Sequence, residues 1–142
     1  MAKETVAYFE GIQEMLVAEA ASEDAADSVI GCGALHVMWE DLAEIRTLAT
    51  AKDWLGRGVG HALVDQLIER ARALGVSRVF CLTFEVDFFR RHGFEVMPDQ
   101  SAVDPQTYSE LLRSHDEGVA EFLDLARVKP NTLGNTRMLR LL

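Results

Sequence analysis

The sequence is poor in the residues that stiffen or cross-link a chain, with three Pro and two Cys among its 142 residues. Two cysteines cannot build a disulfide framework, and both lie in apolar stretches, so we expect Cys32 and Cys81 to be buried, reduced thiols. No run of 18 apolar residues occurs, which excludes a membrane-spanning helix, and no apolar segment of a secretory signal follows the first residues. These absences favour a cytoplasmic protein.

Length and composition indicate a single globular domain, residues 1–142, with 49% hydrophobic and 26% charged residues. The net charge of −9 argues against nucleic acids and anionic membranes as partners. Residues 52–92 are locally basic, with seven Lys and Arg against five Asp and Glu. That charge fits solvated helix faces and a small anionic ligand equally well.

The first half of the chain is predicted to form strands at residues 13–21, 29–39 and 42–50, after a short helix at 4–9. Short turns join the strands, which is typical of an antiparallel meander. A glycine-rich turn follows, and from Val59 apolar residues recur at helical spacing until Gly75.

The second half is predicted to contain strands at 78–84, 94–97 and 137–142, and helices at 85–92 and 108–125, the latter broken near residues 114–118. Together the two halves indicate an α/β (α+β) fold. Its sheet is mixed, mostly antiparallel and twisted, is flanked by helices and contains one crossover.

The turn Leu55-Gly56-Arg57-Gly58-Val59-Gly60 between a strand and a helix predicts an anion site. Glycines allow a close backbone approach, and the amides and dipole at a helix N-terminus favour a phosphate. A dinucleotide fingerprint fails because Leu63 stands where the third glycine is needed, and the Lys-Ser/Thr of a nucleotide P-loop is missing. A third interpretation is the pyrophosphate loop of acetyl-CoA enzymes, for which a glycine-rich turn alone is weak evidence.

Residues 43–50 (AEIRTLAT), 55–63 (LGRGVGHAL) and 88–94 (FFRRHGF) resemble, in order and spacing, the signatures of the GNAT-type N-acetyltransferases. Within that superfamily, residues 82–85 (LTFE) and the tail after residue 119 resemble the short, actinobacterial kind of amino-acid N-acetyltransferase, the N-acetylglutamate synthases. The resemblance covers essentially the whole chain. It implies the GNAT fold, with acetyl-CoA as co-substrate and no metal.

The same resemblance implies a cofactor-binding segment at the end of the third strand, in the glycine-rich turn and in the short helix. The residues implied are Leu48, Ala49, Thr50, Leu55, Gly56, Arg57, Gly58, Val59, Gly60, His61, Phe88, Phe89 and Arg91.

The implied reaction is transfer of acetyl to the α-amine of L-glutamate, by direct attack and without a covalent intermediate. Glu44 is the candidate general base, since the substrate ammonium must lose a proton. The alternative is a strand glutamate paired with Arg46. Arg46 lies on the same strand face and is the candidate partner of a substrate carboxylate. Lys129 and Arg137 are candidate helpers or surface residues. Thr83 is a candidate proton relay or an ordinary strand-end threonine.

Three departures from the family pattern stand out. Leu55 occupies a position that usually holds Arg or Gln, and Phe89 occupies that of a tyrosine general acid. The family's first strand and its substrate-covering helix have no counterpart before residue 1. Residues 13–21 would then form a bare sheet edge, which predicts a homodimer. Two alternatives stay open: a different acceptor (glutamine, another amino acid or a protein N-terminus), or a CoA-binding domain without catalysis.

Overall fold

The computed structural model describes residues 3–21, 28–97, 104–123 and 134–142. Within these ranges the chain forms six strands and five α-helices. The helices are α1 Thr5–Glu10, α2 Val59–Ala73, α3 Val86–Arg90, α4 Pro105–Leu111 and α5 Glu117–Phe122, and the strands are β1 Met15–Glu19, β2 Val29–Trp39, β3 Leu42–Thr50, β4 Arg78–Thr83, β5 Glu95–Val96 and β6 Thr136–Leu141.

The strands form one mixed sheet in the order β1-β2-β3-β4-β6-β5. β1 pairs antiparallel with β2, and β6 pairs antiparallel with both β4 and β5. β3 and β4 are parallel, with Glu44 opposite Phe80, because the α2 crossover joins them. The predicted mixed, mostly antiparallel sheet flanked by helices is therefore confirmed.

Most elements differ from the prediction by a few residues at their ends, and two of these differences have a local cause. β1 is shorter than residues 13–21, because Ile12–Glu14 form a 3-10 turn before it. The helix predicted at 108–125 is two helices, as the expected break implied. The Asp116 carboxylate accepts a hydrogen bond from the Val119 amide at 3.1 Å and thereby starts α5 as a new helix. A turn is predicted at 22–28 and a loop at 98–105, and most of both, residues 22–27 and 98–103, lies outside the described residues. The predicted loop is wrong at its end, because Pro105 begins α4.

The Asp104 side chain starts α4 in the same way, accepting hydrogen bonds from the Thr107 amide at 3.0 Å and from its hydroxyl at 2.7 Å. The bond from the Thr107 amide, followed by the one from its hydroxyl, holds the pKa of the Asp104 carboxyl below its ordinary value. In both helices the Asp just before the first turn is the N-cap residue, and its side chain accepts a hydrogen bond from an amide of that turn.

The chain divides into two compact units, one of residues 1–36 and 45–74 and the other of residues 37–44 and 75–142. The first unit contains α2, whose inner face is apolar and buried at Leu63, Val64, Leu67, Ile68 and Ala71. These residues recur with the helical period seen in the sequence, so they lie on one face of α2. Their burial packs α2 against the rest of the first unit. The single domain 1–142 stays a prediction.

The second unit has its own apolar cluster, formed by Met38, Leu42, Phe80, Leu111, Val119, Phe122 and Leu123. Phe80 and Phe122 meet edge to face with ring centroids 5.4 Å apart. At the start of β4, the Arg78 guanidinium Nε donates to the Asp41 carboxylate at 3.0 Å. No helix among the described residues has the length and apolar character needed to span a bilayer.

Candidate active site

The glycine-rich turn leads into α2 with a backbone that only glycine adopts readily. Gly56 and Gly58 have φ angles of 74° and 84°, and a side chain at either position would meet no atom within 4 Å. Space beside this backbone is therefore open to a ligand. Gly58 is the N-cap of α2, and no side chain caps the first turn. The amides there can donate to an anion, which fits a diphosphate as the sequence predicted.

Trp54 supports the turn in a way that the sequence motifs did not indicate. The Arg57 guanidinium lies over the Trp54 ring, 4.8 Å from its centroid, and Trp54 itself ends a 3-10 turn at Lys52–Trp54. Stacking on an aromatic face favours one arginine orientation. Arg57 therefore provides an oriented positive charge in a turn where Leu55, 64% exposed, provides none.

β3 is distorted at Thr47, whose φ is 59°. This is an unfavourable conformation for a β-branched residue and has to be stabilised by its surroundings. The Lys3 ammonium donates to Thr47 Oγ1 at 2.5 Å, and the Cys32 thiol donates to the Thr47 carbonyl at 3.3 Å. Thr47 stands between the predicted carboxylate-binding Arg46 and the cofactor segment that begins at Leu48.

Cys32 and Cys81 have different surroundings, and only part of the expectation for them holds. Both are free thiols, and Cys81 is buried, whereas Cys32 is only partly buried. Burial, and secondarily the nearby Glu44 carboxylate, raises the pKa of the Cys81 thiol well above its ordinary value. A protonated thiol is a poor nucleophile, so Cys81 offers no covalent route for acyl transfer.

Glu44 is a buried carboxylate, 7% exposed, in β3 opposite Phe80 of β4. Two residues later in the same strand, Arg46 is half-buried. Thr83, 8% exposed, lies at the end of β4. Thr83 Oγ1 accepts a hydrogen bond from the Glu85 amide at 2.8 Å, which orders the turn into α3. The hydroxyl of Thr83 therefore already has a structural task there.

The aromatic residues of α3 form a ring cluster. Phe89 is 5% exposed and contacts Phe88 and Phe94 edge to face, with centroids 5.1 and 5.2 Å apart. Phe88 also lies 5.2 Å from the His92 ring. Phe89 packs in the interior of its unit, as expected for a phenylalanine in the place of a tyrosine. Arg91 follows α3 and is exposed.

Of the two tail residues predicted as helpers, Arg137 and Lys129, the structure describes Arg137. Arg137 lies in β6 opposite Leu82, and its Nη2 donates to the Phe122 carbonyl at 2.7 Å, at the end of α5. That bond commits part of the guanidinium to the fold, and its role toward a substrate stays a prediction. Lys129 lies outside the described residues. Among the residues that the structure describes, no group of three or more His, Cys, Asp or Glu could hold a metal ion.

The predicted cofactor segments in the first unit do come together. The first residue of α2, Val59, and the β3 residue Ala49 both lie next to Gly31 of β2. Gly31 was not among the predicted site residues. A glycine inside an apolar strand is the sequence signal that could have identified it, because such a glycine often marks a close approach by another element.

Over residues 4–94 the sequence matches the acetyltransferase (GNAT) family. The chain belongs to this family. It is 52% identical over 140 residues to an amino-acid acetyltransferase of Mycobacterium tuberculosis, an alignment that covers 99% of this chain and 79% of the relative. The predicted enzyme class, an acetyl-CoA-dependent amino-acid N-acetyltransferase, is confirmed.

Solved structures agree with the fold. A crystal structure from Mycobacterium tuberculosis in complex with CoA and NLQ has a TM-score of 0.92 and 51% identity, covering all of this chain and 84% of that one. N-acetylglutamate synthase from Neisseria gonorrhoeae, complexed with coenzyme A and N-acetyl-glutamate, has a TM-score of 0.72 at 21% identity. This chain covers 28% of that protein, so the second match supports the fold alone.

The glycine-rich turn can be tested by comparing two glycines at opposite ends of α2. Gly58→Ala forces a side chain into a left-handed conformation that costs about 1–2 kcal/mol. If CoA requires the native turn, its dissociation constant should rise roughly tenfold, since 1.4 kcal/mol is a factor of ten. Isothermal titration calorimetry with CoA measures this.

Gly75→Ala is the matched control, because Gly75 has a φ of 80° and equally open surroundings beyond the other end of α2. It should lower stability by a similar amount and leave the affinity for CoA unchanged. Equal CoA affinity in both variants would contradict a diphosphate site at the turn.

Proposed function

We propose that this acetyl-CoA-dependent amino-acid acetyltransferase acetylates the α-amino group of L-glutamate in the cytoplasm, the first step of arginine biosynthesis. The observation that carries the proposal is β3, where buried Glu44 and half-buried Arg46 lie two residues apart. The residues that follow, Leu48–Thr50, belong to the proposed cofactor segment. Strand β3 thus provides a candidate base, a cation that can bind a substrate carboxylate, and a segment proposed to lie beside the acyl donor.

Acetyl-CoA supplies an activated acyl group when bound. The turn residues Gly56–Gly60 hold its diphosphate through their amides, and Arg57 adds a positive charge nearby. The fit rests on the uncapped first turn of α2 and the open space beside Gly56 and Gly58. His61, in the first turn of α2, is a further proposed cofactor-binding residue. Phe88, Phe89 and Arg91, which lie in the second unit, are proposed as cofactor-binding residues from the family resemblance.

Glu44 has the task of removing a proton from the substrate amine, directly or through water. The α-ammonium of an amino acid cannot attack until it is neutral, and the β3 carboxylate accepts the proton that it loses. The amine nitrogen then forms the amide bond as the carbon–sulfur bond of the thioester breaks. The nitrogen gives up a second proton as the amide forms, and the leaving thiolate takes up that proton, with the Thr83 hydroxyl as the proposed relay.

Arg46 has the task of selecting the acceptor. A planar guanidinium binds a carboxylate through two parallel hydrogen bonds, and glutamate carries two carboxylates where most amino acids carry one. About 6.6 Å of strand separate residues 44 and 46, since a strand rises about 3.3 Å per residue. Long side chains that start this far apart on one strand face can contact the two ends of the same glutamate molecule. Lys129 and Arg137 are the proposed helpers.

The acceptor is tested by steady-state release of CoA with L-glutamate, L-glutamine, L-aspartate, L-leucine and a short peptide. We expect kcat/KM to be at least about tenfold higher for glutamate than for glutamine, which corresponds to about 1.4 kcal/mol from one charged contact. A preference for glutamine or for the peptide would overturn the glutamate assignment. CoA binding without turnover of any acceptor would indicate a catalytically silent domain.

The same assay with Arg46→Leu should raise the KM for glutamate at least about tenfold, because a charged hydrogen bond contributes about 1.5–3 kcal/mol. Arg46→Lys should give an intermediate KM for glutamate, since lysine keeps the positive charge but cannot form the bidentate hydrogen bonds. Arg113→Leu is the control, removing an exposed arginine that pairs only with Glu110 at 3.4 Å in the described contacts. An unchanged glutamate KM in Arg46→Leu would remove Arg46 from substrate binding.

Glu44→Gln should lower kcat by about 10²–10⁴-fold near neutral pH, the usual contribution of a general base. The loss should shrink as pH rises, because a growing share of the substrate amine is then neutral without help. Glu40→Gln, at an exposed position just before β3, is the charge-matched control. Rates are measured from pH 6 to pH 10, and parallel pH profiles for Glu44→Gln and the unmodified enzyme would exclude Glu44 as the base.

A homodimer through β1 is also proposed, since β1 lies at the edge of the sheet and an open edge pairs readily with another chain. Val17 of β1 is 54% exposed. Val17→Lys should shift the protein toward the monomer in light scattering coupled to size exclusion. Val37→Lys, a similarly exposed change in the interior strand β2, should not. A monomer at every concentration of the unmodified protein would refute the dimer.

A further inference from the structure

β2 and α2 approach each other unusually closely at Gly31. A β-carbon added to Gly31 would lie 2.8 Å from Val59 Cγ1 and 3.1 Å from both the Ala49 carbonyl oxygen and Leu63 Cδ1. Real β-carbons essentially never come within 3.0 Å of another heavy atom. Gly31 is therefore a position where no side chain fits without displacement of its neighbours.

Two of the three neighbours cannot move alone. Val59 is the first residue of α2, and a β-branched side chain in a helix has essentially one rotamer. Ala49 contributes a backbone oxygen of β3, which moves only with its strand. A methyl group at Gly31 would therefore displace the start of α2, the end of β3, or both. Contacts of 3.4 Å and above are ordinary for a β-carbon, so Val59 Cγ1 would have to move by about 0.6 Å and the Ala49 oxygen by a few tenths of an ångström.

Gly33 provides the contrast within the same strand. A β-carbon there would lie 2.9 Å from Leu67 Cδ1 and 3.1 Å from Leu48 Cδ1, both of them the ends of flexible side chains. Leu67 lies two turns beyond Val59, away from the N-terminus of α2. A methyl group at Gly33 can thus be accommodated by small rotations of two leucines. Gly31 and Gly33 are the same residue type in the same strand, but their neighbours differ. Gly31 lies against the start of a helix and the backbone of a strand, whereas Gly33 lies against the ends of two flexible side chains.

We propose that Gly31 is a positioning residue for acetyl-CoA. Its missing side chain sets how closely the first turn of α2 lies against β2, and so places the amides of Gly58–Gly60 relative to Ala49 at the end of β3. This inference rests on the diphosphate site proposed at the glycine-rich turn. Amide hydrogen bonds span 2.7–3.2 Å, so a shift of about 0.6 Å at the helix start is enough to lengthen a bond of ordinary length beyond that range.

The test compares Gly31→Ala with Gly33→Ala by calorimetric titration with CoA and by steady-state kinetics. We expect Gly31→Ala to raise the dissociation constant of CoA by about tenfold or more, equivalent to about 1.4 kcal/mol. Its kcat at saturating acetyl-CoA should stay within a few-fold, because the reacting groups are unchanged. Gly33→Ala should bind CoA as the unmodified protein does, even where its melting temperature falls.

A double-mutant cycle with Val59→Ala supplies a readout that a merely structural role would not move. Removing both methyl groups of Val59 creates the room that Gly31→Ala needs, so Gly31→Ala should weaken CoA binding strongly beside valine and only slightly beside alanine at position 59. If Gly31→Ala fails to fold, Val59→Ile crowds the same contact from the helix side and should weaken CoA binding in its place.

The inference is overturned if Gly31→Ala, or Val59→Ile in its place, leaves CoA affinity unchanged. It is overturned equally if Gly33→Ala weakens binding as much as Gly31→Ala, or if Val59→Ala gives no rescue. Gly58→Ala separates this result from failure of the site itself. Weak CoA binding by Gly58→Ala with normal binding by Gly31→Ala refutes the role of Gly31 alone. Normal binding by both variants refutes the diphosphate site as well.

Discussion

The structure depends on one physical constraint, the placement of uncapped amides at the start of α2. An anion can be bound there because Gly58 adopts a left-handed conformation and no side chain takes up the amides of the first turn. The dipole of a 15-residue helix adds to the attraction. In the proposed site, backbone amides and Arg57 provide the positive charge, so the site does not depend on an arginine or glutamine at the position of Leu55.

The surroundings of that helix start are specialised for close approach and for orientation. Gly31 allows Val59 and Ala49 to lie near one point of β2. Trp54 orients Arg57 beside the turn. Thr47 adopts an unfavourable conformation in β3 and is held by Lys3 and Cys32. Each contact limits the freedom of a segment that the proposed chemistry requires to be in one place.

Some polar residues that the sequence offers as candidates for the chemistry also make hydrogen bonds that hold the fold together. Thr83, a candidate proton relay, accepts a hydrogen bond that orders the turn into α3. Arg137, a candidate substrate ligand, donates to the carbonyl of Phe122 at the end of α5. Glu44, in contrast, is buried and lies close enough to Cys81 to raise its thiol pKa.

The sequence by itself determined the positions of the strands and helices, because apolar periodicity, glycine stops and aspartate caps act between residues that are close in the chain. β2 and β3 have the predicted bounds, and the glycine-rich turn was recognisable as a candidate anion site for the same reason. Only the tertiary structure decided which residues support that site. Gly31 meets Val59, Lys3 meets Thr47 and Arg137 meets Phe122 across 28, 44 and 15 residues of sequence. Such contacts depend on how distant strands and helices pack together, so local sequence patterns do not predict them.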